Sequence, residues 1–151
     1  MNLSFKTMNG IFTLRSAALV INDNHILIAK SDNFDCFYTI GGSVWENESS
    51  ENAVVRELYE ETGYHFEVDR LVFIQERFFN AKSTCHQEVV LFYLMKPADI
   101  DLPNGINTDL PNEHLYWIPI EKLEQINLVP AFLKTATKNI PDEIKHIVSY
   151  E

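Results

Sequence analysis

Six glutamates and a single arginine stand between Glu46 and Glu61, within the stretch GGSVWENESSENAVVRELYEETGY that runs from Gly41 to Tyr64. Like charges on one helix face cost stability, so that density needs something to offset it. On a helical wheel Glu57, Glu60 and Glu61 fall in one sector of about 100°. Carboxylates gathered in this way present hard oxygen ligands, which suit Mg²⁺ or Mn²⁺, ions that keep some of their waters and bridge to substrate phosphates. Arg56 lies about 40° from Glu60 on the same wheel. Its fork of N–H donors can hold a carboxylate in place or neutralise an oxyanion, and Glu48, just ahead of the helix, is its expected partner. The chemistry on offer is the binding of a phosphate compound through a divalent cation.

These side chains need a helix and a frame to hold it. Ser49 and Ser50 suit an N-cap, Ala53, Val54 and Leu58 recur at helical spacing, and Gly63 suits a left-handed terminus, which predicts a helix over 50–62. Upstream, LRSAALVI (Leu14 to Ile21), the turn NDN and HILIAK (His25 to Lys30) read as a hairpin. SDNFDCFYTIGG then reads as a loop, a short strand and a glycine turn. Downstream, FEVDRLVFIQERFF and HQEVVLFYLM read as two longer strands, and Asp99 to Glu113 as a long loop. HLYWIPI is a further strand, EKLEQI a short helix, and PAFLKTATKNI a helix with Pro130 in its first turn. Several strands interrupted by a few helices make an α/β or α+β sandwich.

The chain is 151 residues long, with 46% hydrophobic and 23% charged residues, which predicts one globular domain spanning 1–151. A net charge of -10 leaves no broad basic face for duplex nucleic acid. A phosphate ligand is therefore expected to be met by a metal and a few placed cations. The first fifteen residues lack the apolar core and small-residue site of a signal peptide. The longest apolar run, VVLFYLM (Val89 to Met95), falls far short of the roughly 20 residues that cross a bilayer. The protein is expected to be soluble and cytoplasmic, without a membrane partner. Cys36 and Cys85 form neither a metal-ligand spacing nor a disulfide framework.

Gly42, Glu48, Arg56, Glu57, Leu58, Glu60, Glu61, Gly63 and Tyr64 follow the order Gly, five residues, Glu, seven residues, Arg-Glu-apolar-any-Glu-Glu-any-Gly-apolar. A solvated acidic face has no reason to keep that order. The segment resembles the Nudix box, and RSAALVI, HQEVVLFYLM and LYWIPIEKL resemble their counterparts in small single-domain Nudix hydrolases. The resemblance implies a Nudix fold: α/β class, an α/β/α sandwich with a mixed β-sheet. It also implies hydrolysis of a nucleoside diphosphate linked to another group, X, with Mg²⁺ as cofactor and Mn²⁺ as a substitute. Glu57, Glu60 and Glu61 would carry the metal, the Gly41 carbonyl would supply another ligand, and Arg56 would orient the carboxylates. Three positions depart from the family pattern. Ile40 stands where proline is common, Asn47 replaces a glycine whose left-handed conformation it can still adopt, and Tyr64 replaces an aliphatic residue. None of them removes a ligand.

Outside the box, Glu88 is a candidate further metal ligand or base, and Arg15 a candidate phosphate contact. Trp45 is a candidate stacking partner for a base, as are Phe34 and Phe37. His86 reads as solvent-facing, and Asn107 and Asn112 as loop residues able to meet a base edge. Phe79 stands where relatives that cleave ADP-ribose tend to carry proline, which points toward a nucleoside triphosphate, oxidised ones included, giving monophosphate and pyrophosphate. The alternatives are an ADP-ribose or dinucleoside polyphosphate hydrolase and a non-catalytic nucleotide sensor or regulatory module. The expected assembly is a monomer or homodimer.

Overall fold

The computed structural model describes residues 1–151. In chain order the elements are β1 (Ser4–Lys6), β2 (Gly10–Leu19), β3 (Ile21–Asn22), β4 (His25–Ser31), β5 (Phe37–Thr39), β6 (Gly41–Ser43) and α1 (Ser50–Thr62). There follow β7 (Val68–Ala81), β8 (Thr84–Met95), β9 (Ile106–Asn107), β10 (Glu113–Pro119), a 3₁₀ turn at Ile120–Gln125, β11 (Leu128–Val129), α2 (Leu133–Ala136) and β12 (Lys145–Tyr150). No helix is long and apolar enough to cross a membrane.

The strands form two mixed six-stranded sheets. The first runs β1-β2-β8-β7-β12, with β6 on the same edge of β2 as β1. The second runs β11-β5-β4-β10-β9, with β3 beside β4. Side chains alternate between two cores, as strand geometry demands. Ala18, Leu27 and Tyr93 face one core with Val54 and Leu58 of α1, whereas Ala17, Ile26 and Phe92 face the other with Leu123 and Leu133. The β layer is thus covered by α1 on one side and by the 3₁₀ turn and α2 on the other, an α/β/α arrangement.

Four local expectations are revised. The predicted hairpin exists only at its tip, where Ile21 pairs with Ile26 and Asn22 with His25. Its arms part, because β2 pairs with β8 and β6 whereas β4 pairs with β5 and β10. Gly41 and Gly42 lie in a strand rather than a turn, since a Cβ on Gly41 would overlap the Ser16 carbonyl and one on Gly42 the Glu57 carboxylate. The last helix shrinks to four residues, with Pro130 ahead of it. Thr137 turns its hydroxyl onto the Leu133 carbonyl at 2.7 Å, the back-bonding that weakens helices at such residues. Finally, β12 was not foreseen: it lies parallel to β7, from Lys145 opposite Phe73 to Tyr150 opposite Phe78, a pairing that no neighbouring residue announces.

Gly41→Ala is predicted to lower unfolding stability by about 1–3 kcal/mol, the cost of forcing a methyl group against packed backbone. Urea denaturation measures it as a lower midpoint at unchanged slope.

Candidate active site

Helix α1 is anchored before it does any chemistry. Ser49 caps it by accepting the Asn52 N–H at 3.1 Å, and Gly63 ends it in the left-handed region at φ 79°. Ser16 of β2 donates its hydroxyl to the Ser50 carbonyl at 2.7 Å, and the Ser50 hydroxyl meets that of Tyr93 on β8 at the same distance. Ala53, Val54 and Leu58 are fully buried beneath, so the helix can neither roll nor slide on the sheet.

Arg56 uses every N–H of its guanidinium within the box. Nε and Nη2 donate to the two oxygens of Glu48 at 2.7 and 3.0 Å, and Nη2 also to the Ser43 carbonyl at 3.2 Å. Nη1 donates to Glu57 at 2.8 Å and to Glu60 at 3.3 Å. A guanidinium has five such donors, so none is left for a substrate oxyanion. The flat group also stacks on Trp45, 3.8 Å from the ring centroid. Trp45 remains 43% exposed. Its backbone N–H donates to Glu48 at 2.9 Å across a turn in which Asn47 adopts φ 63°, the left-handed conformation expected of it.

Glu61 is the outlier. It stands seven residues after Val54 and three after Leu58, on the inward side of the helix, and only 9% of it is exposed. Burial, then the negative charges of Glu113, Glu57 and Asp109, push its carboxyl up to about 9. One of its oxygens is buried with no hydrogen-bond partner. Burial also raises Glu57, an effect opposed by the hydrogen bond from Arg56 and faintly by the charge of Arg15. Glu48 is lowered, chiefly by the Arg56 hydrogen bond.

Glu113, which sequence reasoning missed, opens β10 and is buried. It accepts hydrogen bonds from the Tyr38 hydroxyl at 2.5 Å and the Thr108 hydroxyl at 2.9 Å. Burial and then Glu113 raise the Tyr38 hydroxyl well above its usual range, so it stays a donor. The available hint was a carboxylate placed where the polar loop gives way to an alternating strand. No three acidic, histidine or cysteine side chains converge on one point as they stand, because Arg56 draws Glu57 and Glu60 toward itself while Glu61 sits beside Glu113.

Glu57 and Glu60 lie on Arg56 where α1 meets β6, with Glu57 over Gly42, while Glu61 stands apart beside Glu113. Arg15, half-buried opposite Ser43, is close enough for its charge to act on Glu57. Glu88 is not brought into this group. It belongs to the set Glu88, Val90, Phe92 on the face of β8 away from α1, and its carboxylate is held by Arg77 at 3.3 Å. His86, on the same face, is half-buried and stacks on Phe79 with centroids 4.7 Å apart rather than facing solvent. Phe37 is engaged edge-on by Tyr116.

The family model of the NUDIX domain matches residues 12–139. Among solved structures, the chain is similar to a mutator MutT protein from Bacillus halodurans, with 14% identity over 91% of this chain and 89% of that one and a TM-score of 0.71. It is similar to a MutT NUDIX hydrolase from Burkholderia pseudomallei, with 25% identity over 73% and 84% and a TM-score of 0.59. It is also similar to an ADP-ribose pyrophosphatase from Streptococcus suis, with 15% identity over 91% and 98% and a TM-score of 0.57. No curated protein matches the chain.

The raised Glu61 carboxyl carries a pH dependence. The native protein keeps a proton that the unfolded chain releases above the ordinary value of 4.5, so stability present below that pH is lost as pH rises through about 9. Glu61→Gln is predicted to remove this loss and to raise the metal-free melting temperature at pH 8 by about 3 °C, the shift that ~1 kcal/mol produces at this size. Calorimetry of both proteins between pH 5 and 9 in chelator checks it, and equal slopes would contradict it.

Proposed function

The chain belongs to the NUDIX family of pyrophosphohydrolases, and on that premise we propose that it hydrolyses a nucleoside diphosphate linked to X, with a nucleoside triphosphate, oxidised forms included, as its substrate. The products are then a monophosphate and pyrophosphate. One observation carries the reading: a buried carboxyl oxygen of Glu61 lacks any partner, and the charges of Glu113 and Glu57 oppose its ionisation. Buried negative charge in that arrangement fits a divalent cation, whose coordination would satisfy the oxygen and offset the repulsion.

Glu57, Glu60, Glu61 and the Gly41 carbonyl would hold Mg²⁺, or Mn²⁺ in its place. When bound, the ion neutralises phosphate charge and lowers the pKa of a coordinated water. The protein's own groups do the rest. Arg56, with every donor committed to the box, orients carboxylates and leaves the phosphates to others. Its hydrogen bonds to Glu57 and Glu60 fix where both carboxylates stand along α1. Burial raises the Glu61 carboxyl to about 9, so a cation held there would displace its proton and loading would be tighter at higher pH. Arg15 makes no ion pair of its own and alternates with Leu14 and Ser16, so it leaves β2 on the side of Ala17 and acts on Glu57 through its charge. The Tyr38 hydroxyl fixes the Glu113 carboxylate at the far wall of the site.

A panel of nucleoside triphosphates, oxidised dGTP, ADP-ribose, NADH and dinucleoside polyphosphates, incubated with Mg²⁺ and followed by mass spectrometry, tests the proposal. A triphosphate is expected to fall to monophosphate and pyrophosphate. Glu57→Gln should lose at least about a hundredfold in rate. Arg56→Lys, which keeps the charge but not the fork, should lose about 10- to 100-fold, the usual effect of disturbing groups that orient metal ligands. Nucleotide binding without turnover across the panel would sink the hydrolase reading in favour of a sensor.

A further inference from the structure

The first sheet ends at β12, which pairs with β7 alone and has no strand beyond it. The Glu151 N–H donates to the Phe78 carbonyl at 2.8 Å. Alternate residues of a parallel strand bond its neighbour, so Lys145, Ile147, Ser149 and Glu151 turn their backbone groups toward β7. The N–H and C=O groups of His146, Val148 and Tyr150 point the other way, and no other backbone group of the chain reaches them.

Open edges invite pairing, and proteins blunt them with proline, bulges or runs of charge. Over its six residues, KHIVSY, β12 has no proline, an unbroken register with β7 and a single lysine at its start. Val148 is 48% exposed and Tyr150 80%, both of them residue types that favour strands. Tyr150 lies flat on Phe78 with centroids 4.9 Å apart, and His146 meets Glu76 at 2.6 Å. The side chains beside the open backbone are thus already held in place.

The charges along the edge identify what fits it. Lys145, exposed at one end, makes no ion pair within the chain, and Glu151 is exposed at the other end beside Arg77. A second β12 laid antiparallel, Val148 opposite Val148, brings open backbone against open backbone and sets each Lys145 against the Glu151 of the other copy. His146 then faces Tyr150, and about six backbone hydrogen bonds close the seam. Centred on Ile147 instead, the same strands would set Glu143 against Glu151, like charge on like. The segment is complementary to itself in the register that also matches its free backbone groups.

We infer that the β12 edge is the interface of a homodimer, two copies joining their first sheets through antiparallel β12 strands centred on Val148. The seam lies at the opposite edge of that sheet from β1 and β6, so the carboxylate helix of each copy stands away from it. Sedimentation equilibrium of the full chain is expected to give about twice 17.5 kDa at micromolar concentration, falling to the monomer on dilution. Hydrogen exchange should find the amides of His146, Val148 and Tyr150 protected in the dimer and fast in the dilute monomer. Lys145→Glu and Glu151→Lys each place like charges across the seam and should weaken the dimer about 10- to 100-fold. An equimolar mixture of the two variants pairs unlike charges again and should recover association, which a merely misfolded variant could not do. A chain that stays monomeric at submillimolar concentration overturns the dimer and leaves the edge to an extended segment of another protein. A dimer indifferent to both substitutions, or one whose three amides exchange as fast as in the monomer, overturns the assignment of the interface.

Discussion

The guanidinium of Arg56 is the interaction on which the box depends. Half of the chain's net charge is packed around one helix, and a single cation, with all five donors engaged, holds three carboxylates and a backbone carbonyl in fixed places. Such charge-assisted forks are strong and directional, so Glu48, Glu57 and Glu60 cannot scatter as mutual repulsion would drive them to. The Trp45 ring closes the other side of the plane. A residue so fully used inside the box is a scaffold for the acidic groups, and this separates its role from that of Arg15, which has no ion pair.

The site occupies the seam between the two sheets. Gly41, Gly42 and Ser16 come from the first, Tyr38 and Glu113 from the second, and α1 lies across both. The crossing from one sheet to the other takes place at Ile40, whose carbonyl accepts the Ala18 N–H at 2.9 Å. The two glycines follow at once, and their lack of side chains allows the backbone to press against β2 and the Glu57 carboxylate to press against the backbone. Position in the fold thus converts a loss of side chain into proximity of charge.

Glu61 shows what the arrangement costs. A buried carboxyl with an unpartnered oxygen, its ionisation opposed by the charges of Glu113 and Glu57, costs the metal-free chain stability as pH rises through about 9.

Much of this was legible along the chain. The bounds of α1, its Ser49 cap, its Gly63 stop, the pairing of Arg56 with Glu48 and the left-handed Asn47 all follow from interactions spanning at most eight residues, where spacing and side-chain chemistry act directly. What lay beyond reach depends on distant pairing. The strand β12 exists because β7 accepts it across some seventy residues, and the fate of the first hairpin was decided by β8 and β10. Glu113 and Tyr38 reach Glu61 only when β5 and β10 flank β4, and Glu88 is turned away by the parity of a strand whose register the local sequence does not contain. A period of two tells which residues share a face but not which face meets α1; that choice is made by the whole packed core.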